Sequence, residues 1–285
     1  MPKVAFLGTG LLGSGMVEAM LRRRDAVTVW NRTESKARAL EAAGAAVAAS
    51  PEAAIAGVER LHMALSDDAA VDAMLARLSP HLDRSVIIVD HTTASPAGTR
   101  ERLRRAARTG LRMIHAPVFM SPQMCRECTG VMLVSGPQAL FEVVRPALEK
   151  MTGEVWYYGE REDLAAAYKL FGNSLIFTIT AGLADVLAMA ASVGVAPADA
   201  AALFSKFRIG GIIPQRAEKM AKGDFSATFE LTMARKDIRL MIEAAGTQPL
   251  TVLPAIAARM DQAIAAGHGQ EDLGALAAAS VGDNR

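Results

Sequence analysis

Over the first 160 residues, short apolar runs alternate with amphipathic stretches. The runs KVAFL (3–7), AVTVW (26–30), RLHMAL (60–65), SVIIVD (85–90) and LRMIHA (111–116) read as strands rich in Val, Ile and Leu. Between them apolar positions recur at helical spacing over 11–23, 35–43, 68–78 and 96–108. Near-continuous apolar strands joined by helices predict a parallel sheet covered on both faces. VMLVSG (131–136) and EVWYY (154–158) are expected to extend that sheet.

After Gly159 the strand pattern stops. Helical periodicity predicts a long element to about residue 193, then helices over 197–205, 214–222, 230–245, 251–266 and 271–279. The expected fold class is α/β: an amino-terminal doubly wound sheet over 1–160, followed by an all-α carboxyl-terminal domain over 161–285. Residues 174–195 are almost wholly apolar and long enough to span a bilayer. Asp185 sits in their middle and no charge asymmetry flanks them, which predicts a helix buried between domains or subunits instead.

Composition narrows the class of partner. The chain has 285 residues, 31 basic and 30 acidic. No block of like charge suggests nucleic acid or an anionic membrane, so the expected ligand is a small molecule. Two cysteines cannot build a disulfide framework, and residues 1–10 hold no basic-then-apolar leader pattern, so a reducing, cytoplasmic setting is expected. Cys125 and Cys128 form a C-x-x-C, which supplies two zinc ligands of the usual four. His91 and His115 lack ligand spacing, so no metal is expected.

The first strand runs into Gly8-Thr9-Gly10-Leu11-Leu12-Gly13, which opens a helix. Alone, G-x-G-x-x-G is a weak signal; between a strand and a helix, with a second strand near residue 30, it predicts a Rossmann-type dinucleotide site. Gly8 permits the turn, Gly10 lets backbone approach the pyrophosphate, and Gly13 lets helix and strand pack closely. The amides at Leu11 and Leu12 then face the phosphates at a helix amino terminus. The second strand ends in Asn31-Arg32-Thr33, with Lys36 a turn later. Asn31 removes the carboxylate that would repel a 2′-phosphate. Arg32, Thr33 and Lys36 offer a planar fork, a hydroxyl and a further charge, so NADP(H) is the expected cofactor.

Lys169 and Asn173 lie four residues apart and share a face of the long helix. A lysine on so apolar a helix either snorkels to solvent or acts as a general acid/base, with Asn173 positioning the substrate oxygen.

Several stretches together carry a family likeness: FLGTGLLGSGM near the amino end, VDHTTASP (89–96), APV (116–118), the lysine–asparagine helix, GDFSATFELTMARKDIRL (223–240) and AAGHGQEDLGAL (265–276). In these the chain resembles the β-hydroxyacid dehydrogenases, relatives of 6-phosphogluconate dehydrogenase, over nearly its whole length. The resemblance implies that Lys169 is the catalytic lysine and Asn173 its partner at the carbonyl oxygen. It implies that Leu65 and Ser66 lie under the cofactor, that Thr93 contacts its nicotinamide side, and that Lys236 reaches it from the helical domain.

One segment departs from the family. Members usually carry Asp-Ala-Pro-Val-Ser-Gly-Gly, whose Ser-Gly-Gly turn holds the substrate carboxylate. Here the chain reads His115-Ala-Pro-Val-Phe119-Met120-Ser121. Phe119 donates no hydroxyl hydrogen bond, and side chains at 119 and 120 crowd the cradle. Either Ser121 or Arg208 holds the carboxylate, or the substrate is larger and less polar, with 208–212 as the facing wall. Against the same pattern Cys125 and Cys128 take the place of small residues packed behind the loop. Three functions stay open: an NADP-dependent interconversion of a hydroxy acid or alcohol with its aldehyde or ketone, reduction of a bulkier carbonyl or imine, and a non-catalytic cofactor-binding module. The apolar helix suggests a homodimer or higher homo-oligomer.

Overall fold

The computed structural model describes residues 2–281. The chain forms two compact units, Met1–Asn173 and Ser174–Arg285. The first contains β1 (Lys3–Leu7), α1 (Leu11–Arg22), β2 (Ala26–Trp30), α2 (Glu34–Arg38), β3 (Ala46–Val47), α3 (Pro51–Ala54), β4 (Arg60–Met63), α4 (Asp68–Leu78), β5 (Ile87–Asp90) and α5 (Pro96–Arg108). There follow β6 (Arg112–His115), β7 (Val118–Phe119), α6 (Pro122–Glu127), β8 (Val131–Val134), α7 (Gln138–Leu148), β9 (Glu154–Tyr157) and the start of α8 (Leu164–Ser192). The second unit holds the remainder of α8 with α9 (Pro197–Lys206), α10 (Ile212–Ala221), α11 (Leu231–Ala245), α12 (Leu253–Ala263) and α13 (Ala278–Val281). The division thus falls inside α8, past the boundary that the strand pattern places at 160.

Six parallel strands pair in the order β3-β2-β1-β4-β5-β6. Their side chains alternate between two cores. Val4, Phe6, Val27, Val29, Val89 and Ile114 join one, while Ala5, Leu7, Leu61, Met63, Ile88 and Met113 join the other. Burial on both faces is why these strands read as continuous apolar runs.

The stretches at 131–136 and 154–158 do not extend this sheet. They form β8 and β9 of a separate three-stranded sheet with β7, in which β7 and β8 are antiparallel. The chain reaches it because it leaves β6 through Pro117, which has no amide to donate, and enters α6 through Pro122 at a helix's first turn. An antiparallel bridge between His115 and Ser135 links the two sheets.

The long apolar helix is not enclosed by its own chain. Of its most apolar window 11% is buried, and Ile176 and Phe177 stand 50% and 66% exposed. Asp185 is buried, and its carboxylate accepts the backbone N–H groups of Thr251, Val252 and Leu253 at the start of α12. A charge in mid-helix thus serves as the cap of another helix. In the same unit α11 packs on α12 through Leu231, Ala234, Ile238, Ala257 and Met260. Asp272 gathers the amides of Thr228, Phe229 and Gly274.

Candidate active site

The glycine loop has the geometry its sequence demands. Gly8 lies at φ 95, and a Cβ on it would collide with the Ala64 carbonyl. A Cβ on Gly13 would collide with the Gly8 carbonyl, so the close seating of α1 on β1 requires glycine there. A Cβ on Gly10, by contrast, would meet nothing within 4 Å. No side chain caps α1 at Gly10, which leaves the first amides of the helix, Leu11 and Leu12 among them, open to an anion.

Beside this loop lies a cavity of about 470 Å³. Gly8, Gly10, Leu65 and Ser66 line it, together with Asn31, Arg32, Thr33 and Lys36 from the end of β2 and the turn that follows. Ala70, Ala73, Met74 and Arg77 complete the wall from α4. These four follow helical spacing, which the sequence displays, but nothing in the glycine loop points to α4. Arg77 donates both arms of its guanidinium to Glu52 on α3, the longer bond at 2.9 Å. Three cations and no carboxylate line the cavity. Its volume, its open helix terminus and its cationic lining fit an anionic dinucleotide.

Asn31 does more than lack a charge. Its Oδ1 accepts the Thr9 amide at 3.0 Å, and its Nδ2 donates to the Thr33 carbonyl at 2.9 Å. The side chain therefore ties the glycine loop to the turn that carries Arg32.

Beyond β5 the chain passes through a group of buried histidines. His91 Nδ1 lies 2.7 Å from the Ala116 carbonyl and must donate to it. Its Nε2 is then the acceptor for His62 Nδ1 at 3.0 Å. His115 Nε2 donates to the Thr92 carbonyl at 2.9 Å. Complete burial lowers the pKa of His91 to about 4 and that of His62 well below the usual imidazole range. Thr92 Oγ1 in turn accepts the Leu65 amide at 3.0 Å. Buried Arg102 pairs with Asp68 at 2.8 Å, whose other oxygen accepts the Ser95 amide. Neutral imidazoles on one side and an ion pair on the other thus hold the loop bearing Thr93. Thr93 itself is exposed and lies outside the cavity lining.

Lys169 does not snorkel: it is only 9% exposed. The start of α8 is fixed by Ser135 Oγ, which donates to the Glu162 carbonyl at 2.9 Å, and by Tyr168 stacked on Tyr158 at 4.2 Å. Lys169 Nζ donates to Asn173 Oδ1 at 3.0 Å. It also lies 4.2 Å from the centroid of the Phe119 ring. Burial alone lowers its pKa to about 8; no carboxylate contributes. An amine so placed can give a proton near neutrality and take one back in mild alkali.

The departing segment divides its roles. Phe119 faces Lys169, but Met120 packs against the amino-terminal unit's core and crowds Gly130. Met120, just past β7, thus turns to the same side as Val118 and away from that of Phe119. Ser121 is exposed and its Oγ accepts the Met124 amide as the cap of α6. Arg208 and Lys236 belong to the second unit; Lys236 pairs with Asp237 at 2.9 Å. Cys125 is buried where α6 meets α1, its thiol pushed up to about 11 by burial. Cys128 ends α6 at φ 54, a left-handed position that favours glycine. Among the described residues no group of three or more His, Cys, Asp or Glu could hold a metal ion.

These features define a Rossmann domain that binds a nicotinamide dinucleotide, with a buried lysine at the start of the following helix. Residues 3–159 match the NAD binding domain of 6-phosphogluconate dehydrogenase. The chain is 27% identical to the glyoxylate/succinic semialdehyde reductase 2 of Arabidopsis thaliana, over 94% of this chain and 76% of that protein. It is 24% identical to 2-(hydroxymethyl)glutarate dehydrogenase of Eubacterium barkeri, over 96% and 93%. In structure it is similar to a reductive aminase from Aspergillus terreus solved with NADPH and ethyl levulinate: TM-score 0.89, 25% identity, 98% and 99% of the two chains. The chain belongs to the β-hydroxyacid dehydrogenase family of oxidoreductases.

Proposed function

We propose that the protein is an NADP-dependent reductase that interconverts an alcohol or hydroxy acid with its aldehyde or ketone, using Lys169 as general acid and base. The observation that carries this reading is the buried Lys169 ammonium, hydrogen-bonded to Asn173 and without a counter-ion to hold its proton. The bound nicotinamide cofactor supplies or accepts a hydride at the substrate carbon. Lys169 Nζ gives a proton to the carbonyl oxygen in reduction and recovers it in oxidation. Asn173 orients the ammonium, and the enclosed position of Nζ keeps that proton from bulk water. Leu11, Leu12 and the glycine loop seat the pyrophosphate, with Leu65 and Ser66 beneath. Arg32, Thr33 and Lys36 hold the 2′-phosphate, which favours NADPH over NADH. Thr93 and Lys236 contact the cofactor in this reading, and Ser121 and Arg208 are the groups left to meet a polar substrate end.

A second reading, reduction of a bulkier carbonyl or an imine, is favoured by Phe119 and by the likeness to the reductive aminase. NADPH consumption with short semialdehydes, keto esters and cyclic imines separates the two. Absence of turnover with every one, despite NADPH binding, overturns both. The exposed apolar row of Ile176, Phe177, Leu183, Leu187 and Leu203 supports a homodimer or higher homo-oligomer, since a monomer rarely leaves so large a patch in water.

A further inference from the structure

Phe119 occupies a place determined from two sides. Through β7 it pairs with Val131, which fixes its backbone in the smaller sheet. Its ring lodges on Gly172 of α8: a Cβ there would stand 2.7 Å from Phe119 Cε1 and closer still to Cζ. Three residues back on the helix stands Lys169, and its Nζ lies 4.2 Å from the ring centroid. An aromatic face presents partial negative charge, which suits an ammonium and repels a carboxylate. The ring thus covers an approach through which a substrate carboxylate would reach Lys169. Nor do the side chains at 119 and 120 offer such a group a replacement. Phe119 and Met120 carry no donor, and Ser121, whose oxygen caps α6, keeps a single hydroxyl hydrogen to give. A carboxylate desolvated against the ring would be short of partners.

We propose that Phe119 is a specificity-determining residue: seated on Gly172 and over Lys169, it closes the lysine to substrate carboxylates, so the site takes carbonyl or imine carbons flanked by uncharged groups. This rests on the reading of Lys169 as the proton donor and narrows the substrates of that site to uncharged ones, setting the hydroxy acid aside. A neutral carbonyl asks for one hydrogen bond, which Lys169 supplies, and its substituents can rest on the ring.

The test uses a matched pair, succinic semialdehyde and its methyl ester, with NADPH and the full-length chain. Wild type is expected to favour the ester in kcat/KM by about tenfold or more. Phe119→Ser should reduce that preference about tenfold, chiefly through a lower KM for the acid. Gly172→Ala pushes the ring aside without removing it, so it should act in the same direction. In a Phe119→Ala background the Gly172 change should do nothing further. Wild type preferring the acid, or a ratio unmoved by both Phe119→Ser and Gly172→Ala, overturns the proposal. Calorimetric titration of succinate onto the NADPH-loaded chain reads the same point without turnover. Tighter succinate binding in Phe119→Ser supports the ring's role, and unchanged binding overturns it. Lys169→Ala that leaves ester reduction undiminished removes the parent reading instead, because the acid-to-ester ratio still reports on Phe119.

Discussion

Asn31 Oδ1 accepts the Thr9 amide at 3.0 Å, and through this bond the turn after β2 is locked to the glycine loop. An aspartate at 31 would keep that bond but lose the one donated to the Thr33 carbonyl, and would bring a negative charge to the part of the cavity lined by Arg32 and Lys36. Asn31→Asp is therefore expected to weaken NADPH about tenfold or more while sparing NADH. Fluorescence titration with both cofactors checks this; an unchanged ratio places the 2′-phosphate elsewhere.

Arg32→Ala with Lys36→Ala should raise the Kd for NADPH by about 10- to 100-fold, the worth of charge-assisted bonds to a phosphate. The loss should shrink as salt is added, because these side chains are exposed.

The rate of each direction should follow the protonation of Lys169. Its pKa is lowered by burial to about 8, so the ammonium predominates below that pH and the amine above it. Reduction needs the ammonium: kcat/KM should be flat in acid and fall through pH 8 upward. Oxidation needs the amine and should rise to a plateau above the same point. Lys169→Ala should cost about 10²- to 10⁴-fold in kcat and abolish both limbs. A limb near the ordinary lysine value would show Nζ to be solvated in the working enzyme.

Stability should decline in mild acid. Unfolded histidines bind protons near pH 6.5, whereas burial lowers His91 to about 4 and His62 well below its ordinary value. Between those values the unfolded chain takes up protons that the folded chain refuses. The contribution of neutral imidazoles is therefore whole above pH 6.5 and is lost as pH falls toward 4. His91 alone should remove on the order of 2 kcal/mol between pH 6.5 and 5. Urea unfolding at pH 7 and pH 5 measures it, and equal midpoints refute it.

Asp185→Ala leaves three amides at the start of α12 without their acceptor. A loss of about 2–3 kcal/mol is expected by chemical denaturation, with Asp185→Asn recovering part of it.

Long-period signals were legible in the chain and short or distant ones were not. The glycine loop, β1, β2, α4 and α5 follow directly from their apolar spacing, over the same residues in sequence and structure. β3 and β7 have two residues each and α3 has four, too few to show any period. α7 does carry a readable stripe in Leu140, Phe141, Val144 and Leu148, and was open to prediction. The separate small sheet was not, because pairing of β8 with β7 depends on the chain turning back through α6 rather than on either strand's composition. Asp185 is readable as anomalous, but its partners are some 66 residues away. The same limit hid Arg77: its spacing on α4 is visible, while its place beside Arg32 exists only once the sheet has formed.

Gly172 has a meaning that outlasts this one chain. The ring of Phe119 leaves no space for a methyl group at that point of α8, so the two positions are sterically linked although they lie on different elements. Among relatives, a large aromatic at the first position should be found only with glycine at the second, whereas a small residue at the first frees the second to vary. With the role proposed for Phe119, the pair would serve as a two-letter signature for sorting carboxylate-refusing members from carboxylate-binding ones without a structure.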